Sequence, residues 1–269
     1  MNEPMSDQTS NERPLILVTN DDGIDAAGLS IMARALEAVG QVVTVAPHEE
    51  QSAVGHGISL SRPMRITSRS EQTGGRYAVT GSPADAVLVG LFHLCSRRPQ
   101  LVVSGINHGL NLGTDVFYSG TIAGALEGVI HGIPGLAVSQ EVTAGQPPGE
   151  ALLQQTAAFA ALVARQMLAD PPPAGIAISI NAPCTETERY VWTRLGQRVY
   201  RERVEQRADL RGVPYYWVGG PLLRTEAEPG TDSHAVDAGR ISLTPLTLNL
   251  TGSVPPRYDG WSLDGYNGD

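Results

Sequence analysis

Two cysteines in 269 residues, Cys95 and Cys184, lie far apart and outside any CxxC pair. That excludes a disulfide framework and a thiolate zinc site. Cys95 ends an apolar helical run and reads as a small core residue. Positive charge is also scarce: 19 Lys and Arg stand against 28 Asp and Glu, a formal net charge of −9. Such a chain is a poor partner for a nucleic-acid duplex. A small anion would need local positive charge from a metal or from helix ends. No apolar run approaches the ~20 residues that span a bilayer, so no membrane partner is expected. The start "MNEPMSDQTSNERP" has no apolar centre and is not a secretory signal. Residues 1–13 are expected to be a disordered leader, and the compartment a reducing cytoplasm. There is no internal repeat, and no HxH or HExxH spacing that would mark a histidine metal site.

What is present is ordinary globular composition, 41% hydrophobic and 17% charged. "PLILVT" (14–19) reads as a buried strand, Leu29, Met32, Ala33 and Leu36 follow helical spacing up to Gly40, and "QVVTVA" (41–46) is a second strand. Together they have the size of one βαβ unit. "ISL", "MRIT" and "RYAVTG" are expected as short strands, and Ser82-Pro83 starts a helix as N-cap and first residue. "LVVS" (101–104) is a strand, 107–120 a long glycine-rich loop, and Thr121–His131 a helix stopped by Gly132 and Pro134. "GLAVS", a helix over 149–169 and "GIAISIN" (175–181) complete the alternation. The expected fold is α/β, with a largely parallel sheet covered on both faces over 14–185. From about 186 the texture changes: "YVWTRL", "RVYRERVEQR" and "YYWVGG" look like antiparallel hairpin strands, and no strong helical period follows. The region 186–269 is therefore expected to be a β-hairpin-rich extension ending in a polar tail.

Ligands of open α/β sheets bind beyond the carboxyl ends of the strands. Three segments fall there, Asn20–Asp22, Pro47–Gly57 and Ser104–Thr121. They bring two carboxylates (Asp21, Asp22), amides (Asn20, Asn107, Asn111), hydroxyls (Ser52, Ser104, Ser119, Thr121) and glycines including Gly105 and Gly120. This oxygen-rich set suits Mg²⁺, Mn²⁺ or Ca²⁺. Adjacent carboxylates repel unless a cation screens them, although "NDDG" is equally compatible with an Asx-type turn. The long loop is either a surface excursion or functional, and it runs into a helix whose N-terminus suits a phosphate. His56 and His108, in the same loops, are candidate substrate contacts or general acids, or ordinary surface histidines.

"ILVTNDDGIDAAGL", "VVTVAPHEEQSAVGHGISL" and "LVVSGINHGLNLGTDVFYSGTIAGALEG" resemble the three signature segments of SurE, the survival-protein nucleotidases and acid phosphatases. "GIAISINAP", "GVPYYWVGG" and "PGTDSHAVDAGRISLTPL" extend the resemblance over roughly 14–252. The resemblance implies a Rossmann-like three-layer core and metal-dependent hydrolysis of nucleoside monophosphates, with one divalent ion (Mg²⁺ or Mn²⁺) per subunit. It implies Asp21, Asp22, Ser52 and Asn107 as metal ligands, with Asp21, Asp22 and Asn107 also catalytic. Asn20 and Ser119-Gly120-Thr121 match positions near the family's phosphate site, and Ser104, Gly105 and Asn111 are grouped with them as phosphate-binding candidates. It also implies a homodimer or homotetramer that exchanges C-terminal segments. The expected chemistry is attack of a metal-activated water on a phosphomonoester. An aspartyl-phosphate route is the rival within the enzyme class. A nucleotide-binding or sensing module without turnover is the rival outside it, and a divalent-cation carbohydrate or lipid-phosphate binder a third alternative.

Overall fold

Leu15–Thr19 (β1) is apolar at every position but the last and buried throughout. Ile16 and Val18 point to one face and Leu15 and Leu17 to the other, each into its own core. A strand buried on both faces has to lie in the middle of a sheet covered twice. In the computed structural model, which describes residues 12–70, 75–143, 147–200, 203–219, 222–226 and 228–251, β1 lies between two parallel neighbours. These are β2 (Gln41–Pro47) and β5 (Leu101–His108).

The main sheet also contains β3 (Ile66–Ser70), β4 (Arg76–Val79), β6 (Gly135–Gln140), β7 (Ile176–Ala182), β8 (Tyr190–Trp192) and β13 (Ile241–Thr247), in the order β3-β4-β2-β1-β5-β6-β7-β13-β8. The six strands from β4 to β7 are parallel. Their order is that of the Rossmann fold, 3-2-1-4-5-6. Helices α1 (Ala27–Leu36) and α4 (Glu150–Ala169) cover one face, where Leu29, Met32, Leu36, Leu153, Ala157, Ala160 and Ala164 meet Ile16 and Val18. Helices α2 (Pro83–Val89) and α3 (Gly120–Ile130) cover the other. The Ser82 start of α2 is a full capping box: Ser82 Oγ accepts from the Asp85 N–H and the Asp85 carboxylate accepts from the Ser82 N–H.

Several sequence expectations need correction. "ISL" (58–60) is not a strand, and of "MRIT" only Ile66 and Thr67 belong to β3. The strand beginning at "LVVS" does not stop at 104. A bulge opposite β6 absorbs Gly105 and Ile106, and pairing resumes at Asn107↔Ser139 and His108↔Gln140. The glycine-rich loop is correspondingly shorter and contains a 3₁₀ turn, Gly113–Phe117. "YVWTRL" does not form an antiparallel hairpin, because β8 lies parallel to β13. The hairpin pairs are β9 (Gln197–Tyr200) with β12 (Leu222–Glu226) and β10 (Arg203–Ala208) with β11 (Pro214–Gly219). A short helix, α5 (Asp232–Asp237), precedes β13; six residues are too few to show a period in the sequence. The leader expected over 1–13 and the tail beyond 251 lie outside the described residues, except for Glu12 and Arg13. Among the described residues no helix is long and apolar enough to cross a membrane.

Candidate active site

The order of strands reverses between β1 and β5, so the chain leaves their carboxyl ends in opposite directions and opens a crevice there. Asn20–Asp22 follow β1 directly, and Asn107 stands at the end of β5. Asp21 is buried against the start of α3. Its Oδ2 accepts from the Thr121 N–H at 3.0 Å and its Oδ1 from the Thr121 hydroxyl at 2.5 Å. Residue 120 has to be glycine for this approach, because a Cβ there would stand 2.8 Å from Asp21 Cβ and 3.0 Å from Oδ2. Burial pushes the Asp21 carboxyl up to about 6, and the charge of Asp22 adds to the rise against the pull of the Thr121 bonds. Asp22 is also raised, chiefly by burial, with Glu50 adding to it and His108 opposing it. The His108 N–H reaches Asp22 Oδ2 at 3.2 Å.

The loop after β2 closes over this pair. The Gln51 N–H donates to Asp21 O at 2.7 Å, and Ser52 Oγ donates to Glu50 Oε1 at 2.6 Å. Asn107 Nδ2 donates to Gly109 O at 2.9 Å, which leaves its carbonyl oxygen as the available end. Asp21, Asp22, Ser52 and Asn107 line a single open cleft of about 1030 Å³, together with Glu50 and His108.

The remaining predicted residues divide into two groups. Ser119 lines the cleft and caps α3, its Oγ accepting from the Ile122 N–H at 3.0 Å. Gly120 and Thr121 face Asp21, so the helix end expected to receive an anion already spends Thr121 N–H and hydroxyl on that carboxylate. Asn111 touches the cleft but acts as a brace, its Nδ2 on Ser139 Oγ and its N–H on Asn181 Oδ1, both at 2.8 Å. Asn20, Ser104 and Gly105 lie beneath the surface. Asn20 Nδ2 donates to Gly23 O at 3.0 Å. Ser104 sits under α3, where a Cβ on Gly124 would come within 2.9 Å of its Oγ. Gly105 has φ +133 and packs its backbone against Val138 O.

Sequence reasoning overlooked Glu50, whose charge acts on Asp22 and which lines the cleft. The acidic run "HEEQ" was the available signal. Of the histidines, His48 faces Arg69, with Nδ1 3.1 Å from its Nη2. His56 turns away from the cleft to Glu127, and His108 borders it.

Two raised carboxylates side by side form a place where bringing in a cation is favourable. Among the described residues no group of three or more His, Cys, Asp or Glu side chains could hold a metal ion. A cation here would therefore rely on carboxylate, amide and hydroxyl oxygens, a hard donor set that fits Mg²⁺ or Mn²⁺. Asn20 Oδ1, buried and without a hydrogen-bond partner among the described residues, adds an orphaned acceptor next to the aspartates.

Residues 16–202 match the family model described as Survival protein SurE. The chain is 46% identical over 242 residues to the 5′-nucleotidase SurE of Moorella thermoacetica, covering 88% of this chain and 91% of that protein. It is 44% identical over 257 residues to the 5′-nucleotidase SurE of Anaeromyxobacter dehalogenans, covering 93% and 97%. The solved SurE protein from Aquifex aeolicus superposes with a TM-score of 0.74 at 37% identity, covering 88% of this chain and 95% of that one.

Proposed function

Because this chain belongs to the SurE family, we propose that it is a phosphomonoesterase that hydrolyses nucleoside monophosphates to nucleoside and phosphate. The observation that carries the reading is the convergence of Asp21 and Asp22 after β1, Ser52 in the loop after β2 and Asn107 at the end of β5 on one cleft. The cleft is large enough for a nucleotide. The same four residues would hold one divalent cation, Mg²⁺ or Mn²⁺. When bound, such a cation neutralises charge on phosphoryl oxygens and lowers the pKa of water.

The chain's own groups then divide the work. Asp21 has both oxygens engaged by Thr121 and serves as the fixed wall of the site. Asp22 has Oδ2 on the His108 N–H, and its Oδ1 orients the attacking water and takes its proton as the P–O bond to the nucleoside breaks, the leaving oxygen being protonated from solvent. Ser119, whose Oγ accepts from the Ile122 N–H and keeps its own proton to give, positions the phosphoryl group, and the Asn107 carbonyl oxygen would hold the cation.

We read 14–185 as the catalytic core and the segment from 186 as an oligomerising region, anchored to the core sheet by β8 and β13. Exposed apolar side chains on the β10–β11 hairpin, Val204, Tyr216, Trp217 and Val218 among them, support exchange between subunits of a homodimer or homotetramer. Both cysteines are free, which fits a reducing cytoplasm.

The test is a phosphate-release screen over ribo- and deoxynucleoside monophosphates, 5′ and 3′, with and without EDTA, on the wild type and Asn107→Ala. Release that disappears with EDTA and falls in Asn107→Ala is expected. Release that survives both overturns the cation site. Tight nucleotide binding with no release in Mn²⁺ restores the sensing module. A phosphorylated enzyme trapped by rapid quench replaces water attack with the aspartyl-phosphate route.

A further inference from the structure

Glu127 lies on α3 outside the cleft, with its side chain only 7% exposed. Its Oε2 meets His56 Nε2 at 2.7 Å and its Oε1 meets His131 Nε2 at 3.1 Å. Burial alone would push the Glu127 carboxyl up, but the two histidines outweigh it and hold it below the ordinary Glu value. His131 comes from the end of the same helix, four residues on, and satisfies the carboxylate locally. His56 arrives from a segment 71 residues away, four positions past Ser52. A buried carboxylate in need of a partner would be served by His131. The second histidine ties a separate segment to α3.

That segment needs tying. Ala53, next to Ser52, has φ +57. For a residue with a Cβ this left-handed conformation costs ~1–2 kcal/mol and persists only where surroundings impose it. Ala53 is exposed, so packing does not impose it. Restraints flank it instead: Gln51 N–H to Asp21 O at 2.7 Å before it, then Gly55 N–H to Tyr118 O at 3.0 Å and His56 to Glu127 after it. The backbone bonds fix two points of the loop. The His56–Glu127 contact is a side-chain anchor at its far end, and the Ser82 Oγ bond to Gly57 O at 2.6 Å follows it.

We propose that His56 and Glu127 are positioning residues whose contact holds the strained loop 48–57 in the shape that turns Glu50 and Ser52 toward Asp21 and Asp22. The consequence for turnover rests on the nucleotidase reading; the restraint on the loop does not.

The experiment compares His56→Ala, His131→Ala and the double variant His56→Ala/Ala53→Gly in the full chain. Hydrogen exchange at the Gln51 and Gly55 amides is read in EDTA, and turnover of a nucleoside monophosphate is read across a Mn²⁺ titration. His56→Ala is expected to speed exchange at both amides about 10-fold, the scale of a lost hydrogen bond to a charged group, and to raise the half-activating Mn²⁺ concentration by a similar factor. His131→Ala removes the other partner of Glu127 and is expected to leave loop exchange unchanged, a difference that general weakening of α3 would not produce. Glycine at 53 abolishes the left-handed penalty and is expected to recover most of the loss. Equal effects of His56→Ala and His131→Ala on exchange, unchanged exchange in His56→Ala, or no recovery with glycine each overturn the proposal. A wild type that releases no phosphate from any nucleoside monophosphate defeats the nucleotidase reading and leaves the exchange comparison intact.

Discussion

Asp21→Asn should stabilise the cation-free protein at alkaline pH while removing its activity. The Asp21 carboxyl is raised from 3.8 to about 6, mainly by burial. Two pKa units correspond to ~3 kcal/mol of differential stability. Asp21 is only 5% exposed, so solvent screening takes little from that figure. The folded-state value lies above the unfolded one. The stabilising contribution is therefore complete below pH 3.8 and is lost as pH rises through about 6. Asparagine has no charge to bury, and its one acceptor and one donor match those of the protonated carboxyl, with Oδ1 on the Thr121 N–H and Nδ2 on the Thr121 hydroxyl oxygen. The difference in stability between variant and wild type should therefore move by ~3 kcal/mol in favour of the variant from pH 4 to pH 8. Removing the Asp21 charge also removes its repulsion with Asp22, which works in the same direction. Urea unfolding in EDTA across that range measures it. Adding Mn²⁺ at 100 times its Kd should cancel most of that advantage, because the wild type gains ~2.7 kcal/mol from binding and the variant gains little. A stability difference that stays flat with pH in EDTA would refute the claim that the fold penalises ionisation of Asp21.

Gly120→Ala places a Cβ 2.8 Å from Asp21 Cβ and 3.1 Å from Pro83 Cγ. Overpacking of ~1–3 kcal/mol should displace the aspartate and lower kcat at least ~10-fold, and a wild-type kcat would contradict this. Asp232→Ala removes the acceptor for the Gly113, Gly196 and Ser233 N–H groups, held at 2.7, 2.8 and 2.8 Å. Leaving such groups buried and unpaired should cost ~3 kcal/mol or more, read as a fall in the urea midpoint. Burial pushes the Cys95 thiol up to about 11, whereas Cys184 is exposed. A thiol reagent at pH 8 should therefore label Cys184 rapidly and Cys95 slowly, as followed by mass spectrometry.

The strands and helices of the core were readable because burial writes a local pattern. β1 is apolar at nearly every position and proved to be central, and Ser82-Pro83 became a full capping box. Features set by distant partners were not readable. Gly105 and Ile106 look like loop residues, yet a bulge against β6 takes them up and carries pairing on to His108. The helix α5 is too short to have a period, and β13 takes its place beside β7 through pairing with a strand some sixty residues earlier.

The site divides along the same line. That Asp21, Asp22, Ser52 and Asn107 carry hard oxygen atoms follows from side-chain chemistry, and that their segments follow strands from local patterning, but singling out these four came from the resemblance to SurE. Which donors face the cleft was decided by packing. Ser104 and Asn20 went beneath the surface, and Asn111 was spent bracing Ser139 and Asn181. The state of the aspartates also depended on tertiary structure, because α3 docks on β5 and β6 and seals Asp21 against Thr121, 100 residues away in the chain. Desolvation and neighbouring charge are properties of surroundings, and a sequence names the groups without bringing those surroundings together.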